Sequence, residues 1–206
     1  NVDMRQFKKL RMFMHAEAVD GQVLSDGDAV GFIRMGNDFT QNYYQIEIPL
    51  QVSPTGSNVD TEVWPEVNEV NLPIDALSKI KALGIADGQY YMDGTIERLK
   101  YYDVIDGELQ ENFVPEFSPR DLGQHRIAIK GNPNFGDIRT LMVGVKNPSQ
   151  DGSFLCTEVW FNELRISDMD NEGGWATIVS MDSNIADFAN ISATGRMSTA
   201  GFGSIE

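Results

Sequence analysis

Short runs in which apolar and polar residues alternate, separated by Asp-Gly and Gly-Asn pairs, dominate this chain. The run 43–50 is the clearest. Tyr44, Ile46, Ile48 and Leu50 fall on one face, and Tyr43, Gln45, Glu47 and Pro49 on the other. That period of two predicts a half-buried antiparallel strand. Runs 10–16, 29–35, 125–130 and 138–145 continue the series, and 155–166 is the longest. The pairs Asp20-Gly21, Asp26-Gly27, Gly36-Asn37, Asp93-Gly94, Asp106-Gly107, Gly131-Asn132 and Asp151-Gly152 mark the turns between them, because Gly, Asn and Asp tolerate the backbone angles that tight turns need. Short strands punctuated this regularly predict a sandwich or a barrel.

One stretch has a different period. In 71–84, Ile74, Leu77 and Ile80 form an i, i+3 stripe suited to lie on a sheet. Pro73 pre-sets the first turn, Asp75 complements the positive end, and Gly84 suits the stop. This predicts one short helix near 73–83. The segment 52–69 is rich in Pro, Gly, Ser and acid and reads as a long acidic loop, with Trp64-Pro65 as a packing anchor. From 176 to 206 the chain turns to Ser, Thr, Asn, Ala and Gly with scattered apolar residues. That reads as an extended tail leading toward a barrel strand or its rim.

Composition narrows the function classes. The 206 residues carry a net charge of −15, spread along the chain. Nucleic acid is excluded as a partner, since phosphate binding needs clustered Lys and Arg; anionic lipid headgroups are disfavoured for the same reason. No apolar run approaches the ~20 residues of a membrane-spanning helix. A single Cys, Cys156, rules out an internal disulfide and reads as a buried, inert thiol in an apolar strand.

Catalytic patterns are missing. His15 and His125 stand far apart with no Cys or second His at metal spacing. There is no phosphate-cradling Gly loop and no nucleophile elbow. Glu158 and Glu163 are the best carboxylate pair, but a retaining glycosidase holds its carboxyls about 5–5.5 Å apart. Five residues along a regular strand would place these two on opposite faces and roughly 16–17 Å apart. The acidic run after Ile166 invites a Ca²⁺ reading through Asp168, Asp170 and Glu172. Val179, however, stands where an EF-hand loop requires a bidentate Glu. A structural Ca²⁺ there, or at Asp20, Asp26 and Asp28, competes with the simpler reading of solvated acidic turns. No other cofactor is expected, and the chain taken alone is not expected to be an enzyme.

The longest specific stretches are Val159-Trp160-Phe161-Asn162-Glu163-Leu164-Arg165-Ile166, followed by Asp170-Asn171-Glu172-Gly173-Gly174-Trp175-Ala176, and the opening 4–17. With 32–36, 42–44, 132–139 and the tail 186–206, they resemble the SprA/Sov family over essentially the whole chain. Trp160, Asn162, Glu163, Arg165, Gly174 and Trp175 carry the most specific part of the likeness. The resemblance implies an internal piece of a giant outer-membrane β-barrel translocon of the type IX secretion system, which exports folded proteins and, in gliding species, adhesins. Its partners would be other secretion-system subunits, exported proteins and the remainder of its own barrel. Its location would be the outer membrane, on the periplasmic or the extracellular side. No catalytic residue carries over from it.

A weaker fold-level echo comes from Trp160 to Ile166, which is similar to the closing strand of concanavalin-like and laminin-G-like sandwiches. The expected fold is therefore mainly β: an antiparallel jelly-roll-like sandwich over 1–175 with one short helix, then the tail 176–206. The rival function is a carbohydrate-binding module that stacks sugars on Trp64, Tyr90 and Tyr91. Tyr43, Tyr101 and Tyr102 are the remaining tyrosines of interest, for docking or for the core.

Overall fold

The structure is a computed structural model that describes residues 3–19, 21–169, 175–185 and 189–198. The chain divides into two compact units, 1–169 and 170–206. It is mainly β, with antiparallel sheets and two short helices, and sandwich-like.

In the first unit, β1 (Phe7–Ala18) is central to a three-stranded sheet of order β11-β1-β4, with β4 at Val70–Pro73 and β11 at Thr157–Met169. A six-stranded sheet has the order β10-β2-β3-β9-β7-β8. Its strands are β2 (Val30–Gly36), β3 (Tyr43–Pro49), β7 (Tyr101–Ile105), β8 (Glu108–Val114), β9 (His125–Lys130) and β10 (Thr140–Lys146). β5 (Tyr90–Asp93) and β6 (Ile96–Leu99) make a separate hairpin. The core lies between the layers and is built from alternate residues: Leu10, Met12 and Met14 of β1; Ile46 and Ile48 of β3; Leu72 of β4; Ile127 of β9. Each is all but fully buried, and burying such a side chain contributes roughly 1.5–3 kcal/mol.

Two α-helices occur among the described residues, α1 (Asp60–Val63) within the acidic loop and α2 (Ile74–Ala86). α2 buries Ile74, Ala76, Leu77 and Ile80, so the expected stripe is the one that packs. Gly84 is not the stop. It sits inside the helix, where a Cβ would come within 3.1 Å of Ile129 Cγ2 and 3.2 Å of Gln89 Cγ. It is the point where α2 approaches β9. The chain leaves the helix two residues past Ala86 at Gly88, whose φ of 73° suits a glycine.

Three further expectations change. The alternation along β3 predicts a half-buried strand, yet all seven of its residues are buried. Cys156 is exposed rather than buried, because β11 begins one residue later, at Thr157. The same strand is not regular. Arg11 pairs with Arg165 and Phe13 with Asn162, leaving a bulge, and Glu163 takes a φ of 52°. Hence Val159 and Phe161 before the bulge, and Leu164 and Ile166 after it, all pack on the core.

In the second unit, β12 (Ala176–Ile185) and β13 (Ala189–Ser198) pair as an antiparallel hairpin, with Ala176 opposite Ser198 and Ile185 opposite Ala189. By register, Val179, Met181, Ile191, Ala193 and Met197 share one face. Ser180, Asp182, Asn190, Ser192, Thr194 and Arg196 share the other, together with Ile178.

Candidate functional site

The face of the six-stranded sheet turned away from the core is polar and largely covered. Alternation puts Arg34, Tyr43, Gln45, Glu47, Tyr101, Asp103, Arg126 and Lys130 on that face. The ten-residue connection from β8 to β9, residues 115–124, runs as a strap across it.

Electrostatics hold the strap. Glu47 is fully buried. Its carboxylate accepts from Gln45 Nε2 at 2.6 Å, Lys146 Nζ at 3.1 Å and Arg120 Nη2 at 3.1 Å. Burial alone would raise its pKa; Lys146 and Arg120 outweigh that and hold the carboxyl below its ordinary range. Lys146 also meets Glu116 at 2.6 Å and lies 5.4 Å from the Phe117 ring centroid. Arg126, also buried, reaches Asp103 Oδ1 at 2.7 Å and donates to the Ser118 carbonyl at 3.0 Å. Arg98 reaches in from β6 over Phe117, at 5.2 Å.

Between the strap and the β5–β6 hairpin lies a cleft of about 510 Å³, a size typical of ligand sites. Phe32, Arg34, Tyr43, Tyr90, Tyr101 and Lys130 face it. Arg34 stacks 4.1 Å above the Tyr43 ring, and burial raises the Tyr43 and Tyr101 hydroxyls above their ordinary pKa. β10 and β11 are edge strands of their sheets. Along β10 the apolar Leu141, Val143 and Val145 stay exposed.

The residues singled out in the sequence scatter. Trp160 stacks on His15 at 4.5 Å and donates Nε1–H to Glu158 at 2.7 Å. Trp64 meets the same His15 edge-on at 6.0 Å. Tyr91 packs on Phe113, and Tyr90 faces the cleft. Trp64, Tyr90 and Tyr91 thus lie in three neighbourhoods and share no platform. Tyr102 is in the core. The bulge brings Glu158 and Glu163 to the same exposed face of β11 with Asn162 and Arg165, and Arg165 pairs with Glu163 at 3.4 Å.

Asp168 lies 3.7 Å from Lys9 Nζ, and Asp26 and Asp28 accept backbone N–H groups of Val52 and Ser25. Asp20, Asp170, Glu172 and Gly174 lie outside the described residues; Trp175 is described and half exposed. Among the described residues no three His, Cys, Asp or Glu side chains gather as a metal site. Sequence reasoning missed Arg34, Glu47, Lys130 and Lys146. The one available signal was Gln45 and Glu47 in the middle of a strongly apolar strand.

The fold and this face together define a mainly β, sandwich-like module with a strapped polar sheet and a ligand-sized cleft. The chain belongs to the SprA_N family, described as motility related/secretion protein, whose model matches residues 1–206. A comparison with individual curated proteins returned no match. No described helix is long and apolar enough to cross a membrane.

Proposed function

We propose that this chain is a non-catalytic part of an outer-membrane protein-translocation barrel of type IX secretion, related to gliding motility. In this reading its sandwich docks secretion-system subunits or exported proteins, or shapes their access to the pore. The β12–β13 hairpin carries the reading. Each strand has ten residues, about 33 Å when extended, and a tilt near 40° brings that to the roughly 25 Å apolar band of an outer-membrane barrel. One face carries Val179, Met181, Ile191, Ala193 and Met197, with Thr177, Ser183 and Gly195 between them, and the other is largely polar, the alternation that lipid-facing and lumen-facing positions need. Two strands alone are marginal in water, so the hairpin needs neighbouring strands, which the remainder of a barrel supplies. On the sandwich, the exposed Leu141, Val143 and Val145 on an edge strand offer a docking margin.

The test uses the full-length protein in native membranes, with Cys156 replaced by Ser. Single cysteines at 179, 181, 191 and 193 should react with a lipid-soluble thiol reagent, and those at 180, 182, 192 and 194 with a water-soluble one. Equal labelling of both sets would sink the barrel assignment.

A further inference from the structure

The cleft on the outer face of the six-stranded sheet carries chemistry that the docking reading does not use. Arg34 lies on β2 and Lys130 on β9, and both strands flank β3, where Tyr43 sits between them. Two strand spacings and an offset of two residues put their backbones about 12 Å apart, close enough for two long side chains to converge on one anion. Arg34 uses three N–H groups, two on Gln45 Oε1 and one on the Phe39 carbonyl. A guanidinium has five, so two are left, and no carboxylate among the described residues pairs with it. The Lys130 ammonium has no hydrogen-bond or ion-pair partner among the described residues. The cleft's other cations, Arg98 and Lys146, are already matched by Glu116 and Glu47. In a chain of net charge −15, two unneutralised cations on one recessed surface select an anion.

The opposite wall limits what that anion can be. Glu97 faces the cleft from β6 with no ion-pair partner among the described residues. It would repel a polyanion, and it accepts hydrogen bonds from neutral hydroxyls. Tyr90 stands beside it with an exposed ring, a surface for the C–H face of a sugar. One negative charge, several hydroxyls and a ring with an apolar face meet all three demands.

We propose that this cleft binds a sugar bearing a single carboxylate, a pyranose of the uronate type. Arg34 and Lys130 hold the carboxylate by charge-assisted hydrogen bonds, Tyr90 stacks on the ring, and Glu97 accepts from its hydroxyls. The cleft, at about 510 Å³, has room for one or two rings. The site stands whether or not the hairpin enters a barrel, since every residue in it belongs to the sandwich.

The test is a titration of the isotopically labelled 206-residue chain with galacturonate, galactose and inorganic phosphate, followed by NMR. Galacturonate should shift amides around residues 34, 43, 90, 97 and 130, with affinity in the millimolar range typical of a small polar ligand. Galactose should bind at least about tenfold more weakly, by loss of the charged contact. Lys130→Gln should weaken galacturonate about tenfold and leave the melting temperature unchanged, because its ammonium supports no internal contact. Tyr90→Ala should weaken galacturonate and galactose alike. The proposal is overturned if galacturonate gives no shifts at these residues, if galactose binds as well, if phosphate binds as tightly as galacturonate, or if Lys130→Gln changes nothing.

Discussion

Glu47 shows how one residue can look ordinary in sequence and be decisive in the fold. It is a polar position in a strand, yet it is fully buried with Lys146 and Arg120 on it. Removing one partner of a buried ion pair leaves the others uncompensated. Glu47→Gln should therefore cost about 3–5 kcal/mol, measured by denaturant unfolding. Its folded pKa is lowered, so its contribution is present above the unfolded value near 4.5 and is lost as pH falls through the folded one. The variant should lack that part of the acid limb.

His125 titrates in a different window. Its Nε2 accepts from the Asn71 backbone N–H at 3.1 Å, and burial lowers its pKa below the ordinary 6.5. The unfolded chain then binds more protons than the folded one just below pH 6.5, so stability falls as pH drops through that range. Thermal unfolding from pH 7.5 to 5.5 should show the decline. In His125→Gln it should largely vanish; an unchanged slope would assign it elsewhere.

At the scale of elements, the period-two and i, i+3 patterns located β1, β2, β3, β9, β10, β11 and α2 to within a few residues. The four strands between 90 and 114 were not legible as strands, although Asp93-Gly94 and Asp106-Gly107 marked both hairpin turns. β5, β6 and β8 are largely exposed and β7, though mostly buried, is only five residues long, so no apolar alternation advertises them. The β11 bulge was readable only as a slip in the apolar spacing from 161 to 164. Gly84 misled because a glycine near a helix end resembles a stop; here the neighbouring β9 sets its role. Gly84→Leu should destabilise by about 1–3 kcal/mol through overpacking against Ile129, visible as a lowered unfolding midpoint with an unchanged denaturant slope.

For the whole molecule, the two units make separate predictions. Residues 3–169 contain a core of their own. That segment expressed alone should unfold cooperatively with a melting temperature within about 5 °C of the 206-residue chain, where 1 kcal/mol corresponds to about 2–4 °C. A larger drop would mean that the hairpin stabilises the sandwich. In the full-length secretion protein, deleting the sandwich should block or deregulate export; normal, selective export without it would refute the docking role.

The sequence by itself determined the β class, the helix, the turns and the family, because each is written in local periodicity, turn chemistry or contiguous motif. Only the tertiary structure decided which polar faces are buried. Both faces of β3 alternate cleanly, and nothing local says that residues 115–124 return to cover one of them. The cleft was illegible for the same reason: Arg34, Tyr43, Tyr90, Glu97 and Lys130 come from five strands, and only tertiary packing brings them together. Trp64, Tyr90 and Tyr91 suggested a sugar platform by residue type, and packing dispersed them, since long-range strand pairing rather than composition fixes which aromatics share a surface.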